Sequence, residues 1–100
     1  MQQENMDNIV MICNDCSKMR KQDWQDHNAK TVIKKGDFVK VALKDKDAVE
    51  HCWLNVDRVS KDGQTIWGIL DNIPICLTNF KLGDGIIIER GEIEEHHGGK

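Results

Sequence analysis

Gly36-Asp37-Phe38-Val39-Lys40-Val41-Ala42-Leu43-Lys44 opens the part of the chain whose pattern decides the fold. Val39, Val41 and Leu43 alternate with Lys40, Ala42 and Lys44, which places three apolar side chains on one face of a strand at period two. Downstream, a strand over about residues 50–59 sends Cys52, Leu54 and Val56 to one face and His51, Trp53, Asn55 and Asp57 to the other. Lys61-Asp62-Gly63-Gln64 predicts a hairpin turn around Asp-Gly, where glycine supplies the positive φ that a tight turn requires. A third strand, residues 65–70, is apolar on both faces and is expected to be central or covered twice. Asp71-Asn72-Ile73-Pro74 breaks the pattern, because Pro74 has no backbone N–H to give a ladder. Ile75-Cys76-Leu77 reads as a short fourth run, Lys81-Leu82-Gly83-Asp84-Gly85 as a turn, and Ile86-Ile87-Ile88 as a final buried strand.

Upstream the signals are weaker. Ile9 to Cys13 is a brief apolar run that periodicity assigns neither to a strand nor to a helix start. Asp15 is a candidate cap for a helix over about residues 16–27, where Lys18, Met19, Arg20, Lys21 and Gln22 all favour helix. The organisation expected is a leader at 1–12, a helical segment at 13–33, a β-rich part at 34–95 and a disordered tail at 96–100, together one domain. The fold class is α+β: a small, mostly antiparallel sheet or partly open barrel with one N-terminal helix. Three tryptophans against two phenylalanines predict that tryptophan supplies much of the core bulk.

A chain of 100 residues buries roughly 60–70% of its unfolded surface, enough for one core without disulfide or metal. The net charge of −3 argues against strong non-specific attraction to a polyanion. The charge is uneven, with nine Lys or Arg against four acids over residues 18–46, and five acids against one Arg over 84–95. Those runs read either as solvated faces or as a basic patch for an acidic partner. The start is polar and acidic, which does not fit a secretory signal, and no run nears the roughly 20 apolar residues of a membrane span. A cytoplasmic location is expected, and with it free thiols or metal ligands rather than disulfides.

The order Gly36-Asp37-Phe38-Val39, then Glu50-His51-Cys52-Trp53, then Asp71-Asn72-Ile73-Pro74, then Leu82-Gly83-Asp84 and Ile93 resembles a family of small bacterial and phage proteins, domain of unknown function 2314. The resemblance covers about residues 34–95. Three features depart from its pattern: Cys52 stands where larger apolar residues are common, Glu94-Glu95-His96 replaces an aromatic after the last isoleucine, and the Cys13-x-x-Cys16 leader is not part of it. The resemblance implies a compact α+β or β-barrel-like fold and implies no reaction.

Cys13-Asn14-Asp15-Cys16 has zinc-ligand spacing, and His27 follows, so Cys13, Cys16 and His27 are the candidate metal ligands. Four ligands are needed to close such a site, and a plain pair of thiols, or a redox pair at a helix start, fits the same residues. Cys52 and Cys76 read as small core residues. For His51 and Trp53 the plainer expectation is that Trp53 packs under the N-terminal helix and His51 hydrogen-bonds a turn. The alternative is a polar-aromatic binding face of His51, Trp53, Asn55 and Trp67, with Lys34 and Lys35 supplying positive charge. Enzyme activity is not expected: there is no nucleophile elbow and no phosphate-binding glycine loop, and Cys52 and His51 point to opposite faces. The function expected is a non-catalytic module that recognises a protein partner, in an accessory, immunity-type or phage counter-defence role. The alternative is nucleic-acid or nucleotide binding through a small barrel, and a zinc-stabilised form of either is a third.

Overall fold

The computed structural model describes residues 12–13, 18–45 and 48–99. Within them the period-two pattern is met by β1 (Phe38–Asp45), β2 (Ala48–Val59), β3 (Thr65–Leu70), β4 (Gly85–Glu89) and β5 (Glu95–His97), all antiparallel and ordered β4-β3-β2-β1-β5. One helix, α1 (Lys18–Asn28), precedes them, and a 3-10 turn at Arg90–Glu92 joins β4 to β5. The sheet does not close, so the architecture is the open antiparallel sheet with an N-terminal helix.

Registers bring the alternating aliphatics together. Val39 faces Leu54, Val41 faces Cys52, Leu54 faces Leu70, and Ile66 faces Ile88, all buried. This face is covered by Trp24 of α1, by Ile33, by Leu77 and Phe80 of the loop after β3, and by Ile93. Helix α1 is weakly amphipathic and buries only Lys21 and Trp24. It is tied to the far end of the chain instead. Arg90 Nη2 donates at 2.7 Å to the carbonyl of Asn28 at the helix end, which also accepts from the Thr31 N–H, and its guanidinium lies 5.0 Å from the Trp24 ring.

At one point the sheet tolerates no side chain. A Cβ on Gly68 would stand 2.9 Å from Leu54 Cβ, so glycine lets β3 lie against β2 beneath a fully buried leucine. One step on, the register shifts: Val56 pairs with Gly68 but Arg58 pairs with Trp67, which leaves Asp57 as the extra residue of a bulge. Beyond it the parity of β2 is inverted. Val59 joins the core side opposite Ile66, and Arg58 takes the outer face that simple alternation gives to Asp57.

Several expectations are corrected. Residues 75–77 form no strand; they lie in a loop pinned by carboxylates, and Ile75 is 89% exposed. Glu50 accepts from the N–H of Ile75 and Cys76, and Asp45 from the N–H of Thr78 and Asn79, which spares that backbone the need for a ladder. Cys76 is therefore exposed rather than a core residue, whereas Cys52 is fully buried. Ile86–Ile88 is not the last strand, because β5 follows and pairs with β1. Trp24 alone of the three tryptophans is buried in the aliphatic core. Asp15, the expected helix cap, lies outside the described residues.

Residues 96–99, expected to be disordered, are held by Asp37. Its carboxylate accepts from the N–H of Lys34 at 2.9 Å, from His96 Nε2 at 2.9 Å and from the N–H of Gly99 at 3.0 Å. Because a carboxylate only accepts, His96 must carry its proton on Nε2. Gly99 approaches so closely that a Cβ there would lie 2.0 Å from the Gly36 carbonyl oxygen. Burial pushes the Asp37 carboxyl up, but the Gly99 N–H, the His96 ring and the Lys34 N–H outweigh it and hold the group below its ordinary 3.8.

Gly68→Ala is expected to cost about 1–3 kcal/mol through overpacking against Leu54. Gly91→Ala, into open space, stays within about 0.5 kcal/mol. Urea midpoints at unchanged slope measure both, and equal midpoints would show that β2 and β3 separate freely at this point.

A carboxyl depressed in the folded state contributes stability that is full above its unfolded value and disappears as pH falls through the folded one. Asp37→Asn therefore lowers the melting temperature at pH 7, and the gap to the parent narrows as pH drops below about 4. Thermal melts from pH 7 to pH 3 test this, and a gap independent of pH contradicts it.

Candidate interaction face

The face of the sheet opposite the core is built by the other half of each alternation. β1 contributes Phe38, Lys40 and Ala42; β2 contributes His51, Trp53, Asn55 and, through the bulge, Arg58; β3 contributes Trp67 and Ile69; β4 contributes Ile87; β5 contributes Glu95 and His97. The registers fix the neighbours: Lys40 stands opposite Trp53, Phe38 opposite Asn55, Asn55 opposite Ile69, and Trp67 between Arg58 and Ile87. Trp53 and Trp67 are both partly exposed here, so Trp53 does not pack under the helix.

Each indole carries a cation. Lys40 Nζ lies 5.8 Å from the Trp53 ring, and the Arg58 guanidinium carbon lies 4.1 Å from that of Trp67. The quadrupole of an indole attracts a cation placed over its face. His97 adds a tilted ring 5.3 Å from Trp53, and Glu95 sets a carboxylate 3.7 Å from the Lys40 ammonium.

His51 reaches Glu94 in the bend before β5, and Glu94 Oε1 lies 2.7 Å from His51 Nδ1. The Glu94 side chain is wholly buried, and its Oε2 has no hydrogen-bond partner among the described residues. The ring thus anchors the chain where it enters β5, whose backbone begins to follow β1 at the bond from the Glu94 N–H to the Lys40 carbonyl. Asn55 also turns out to be an anchor: its Nδ2 donates to the carbonyls of Gly36 and Asp37 and fastens the turn before β1. Lys34 and Lys35 are exposed on that turn, beside the sheet end rather than on its face. Of the residues expected from sequence, Trp53, Trp67, His51 and Asn55 share the face, and the two lysines sit at its rim.

Lys40, Arg58, Glu95 and His97 escaped the sequence reading of this face. Lys40 was legible as the outward member of the β1 alternation. Arg58 was not, because the bulge reverses its side. Glu95 and His97 lacked the length that marks a strand.

The metal reading finds no centre in the described residues. Cys16 lies outside them. Cys13 gives its N–H to the Ala42 carbonyl at 3.1 Å, and His27 faces solvent on α1, where the Asp23 carbonyl and carboxylate raise its pKa. Among the described residues no three His, Cys, Asp or Glu side chains are placed to hold a metal ion. No described helix is long and apolar enough to cross a membrane.

No curated protein and no solved structure matches the chain. One family model matches residues 4–97, which extends the resemblance read over 34–95 back through the helix and the Cys13 segment. With nearly its whole length matched, the chain belongs to the family described as uncharacterized protein conserved in bacteria, domain of unknown function 2314.

Proposed function

We propose that this chain is a non-catalytic interaction module that recognises a protein partner through the open face of its sheet. The observation that carries the reading is the pair of partly exposed tryptophans, each stacked with a cation, on the sheet face opposite the core. Protein interfaces draw most of their binding energy from a few Trp, Tyr and Arg residues held rigidly before docking. Indoles fixed on paired strands meet that condition, since little side-chain freedom remains to be lost on binding.

The catalytic alternative has a weaker basis. Burial, with a smaller push from the Glu50 charge, raises the Cys52 thiol to about 11, and the side chain sits in the core on the face opposite His51. A thiol so protonated is a poor nucleophile. The biological settings that suit a small bacterial module of this kind are accessory, immunity-type and phage counter-defence roles in the cytoplasm.

Capture from bacterial lysate with the parent chain, Trp53→Ala and Trp67→Ala tests the reading. Neither residue belongs to the buried core, so both variants are expected to melt like the parent to within a few degrees. The expected result is a partner band that each variant weakens by roughly 30-fold, the scale of an interfacial hot spot. A band unchanged in both variants rejects the face. Binding of a ten-nucleotide oligothymidine that weakens steeply with salt would replace the protein reading with single-strand recognition.

A further inference from the structure

The open face carries two cation-on-indole pairs, and the chain itself covers one of them. At Lys40 and Trp53 the cover is β5. Glu95 stands opposite Lys40 in the β1–β5 ladder and brings its carboxylate to 3.7 Å from the ammonium. His97, two residues on and therefore on the same face, lays its ring 5.3 Å from that of Trp53. An extended segment thus meets this pair with an acid and a flat ring at positions i and i+2.

The second pair has no such cover. Arg58 is exposed and lies 4.1 Å from the Trp67 ring, yet among the described residues no carboxylate pairs with it and no aromatic ring rests on Trp67. Ile69 and Ile87 flank Trp67 on the same face, and Ile69 is 37% exposed. A guanidinium held over an indole keeps its outward N–H groups in a fixed fork, which matches a carboxylate through two parallel hydrogen bonds.

The geometry points to Arg58 and Trp67 as the docking point for an acidic, extended peptide segment of the partner. Its carboxylate meets Arg58, and an apolar or aromatic side chain two residues away lies on Trp67 between Ile69 and Ile87. This rests on the protein-binding reading and adds the partner's chemistry to it. The chain's own Glu95 and His97 are the template, an acid and a ring on alternate residues of a strand. A phosphate would also fit a guanidinium, but the template that occupies the sister pair is a peptide.

The test uses the full chain and two synthetic peptides, one alternating Glu-Thr-Phe-Thr and one alternating Lys-Thr-Phe-Thr. Binding is read by indole and guanidinium NMR signals, with oligothymidine as a third probe. Saturable binding of the Glu peptide, shifting Trp67 Nε1 and Arg58 Nε, is expected, with little or none for the Lys peptide. Arg58→Gln should weaken it by roughly fivefold, and Arg58→Lys by less. No saturation by the Glu peptide, equal binding of both peptides, or indifference to Arg58→Gln overturns the inference. Stronger binding of oligothymidine that Arg58→Gln abolishes overturns it too, by assigning the pair to phosphate. A partner that Trp67→Ala loses but Arg58→Gln retains leaves the face as a protein-binding surface and removes the acidic segment alone.

Discussion

Because successive residues of a strand point to opposite faces, the aliphatic half of β1–β4 needs a cover, and much of the cover here is irregular chain fixed by carboxylates. The long loop between β3 and β4 has no ladder of its own. Its backbone N–H groups at residues 75, 76, 78 and 79 go to Glu50 and Asp45, which stand at the end of the sheet where β1 and β2 are joined. This anchoring holds Leu77 down on the core while Ile75 and Cys76 stay outside. Asp37 performs the same service at the other end of β1, gathering the turn before the strand and the tail after β5 onto one carboxylate. A charged acceptor makes stronger hydrogen bonds than a neutral one, so three acids near the strand ends can order segments that regular secondary structure does not. With most covering segments gathered on one side, the other side of the sheet stays partly exposed around Trp53, Arg58, Trp67 and Ile69, while Ala42 is buried.

The single extra residue at Asp57 then decides what that open side presents. Unbroken alternation would have set Asp57 beside Asn55 on the outer face and sent Arg58 toward the core. The bulge leaves Asp57 unpaired and exposed and brings Arg58 to the outer face, so a cation rather than an anion lies across from Trp67. It also returns Val59 to the core side, so the end of β2 stays packed. One backbone irregularity therefore serves both the interior and the charge of the face.

Much of this was legible in the sequence, and the limits of legibility have physical causes. β3 lies on the residues that the pattern assigns, because the Asp-Gly turn fixes one end and Pro74 lies beyond the other. Its two faces were read as apolar, and both are, but only one is covered. That distinction depends on how much chain remains to cover a sheet, which alternation does not encode. The position of the tryptophans went the same way: Trp24 lies in a weakly amphipathic helix yet is the buried one, while Trp53 and Trp67 follow strand parity to the outside. β5 was missed because three residues cannot show a period, and it is held by contacts 43 to 62 residues away, His51 to Glu94 and Asp37 to His96 and Gly99. The bulge was invisible because register is a property of two strands together.

The distribution of charge bears on the kind of ligand the face suits. The basic run over residues 18–46 looks continuous in sequence but is divided among a helix, a turn and a strand. Lys21 is buried with its ammonium on the Cys13 carbonyl, Lys34 and Lys35 stand on the turn, and Lys40 is paired with Glu95. A polyanion-binding groove gains its affinity from many cations in line along one backbone, each releasing counterions. Discrete cation-on-indole pairs, with one acid already seated on the first, favour recognition of separate side chains at defined spacing instead. The acidic balance of the chain disfavours a polyanion as well, whereas a short acidic segment presented by a folded partner meets only the local field of Arg58.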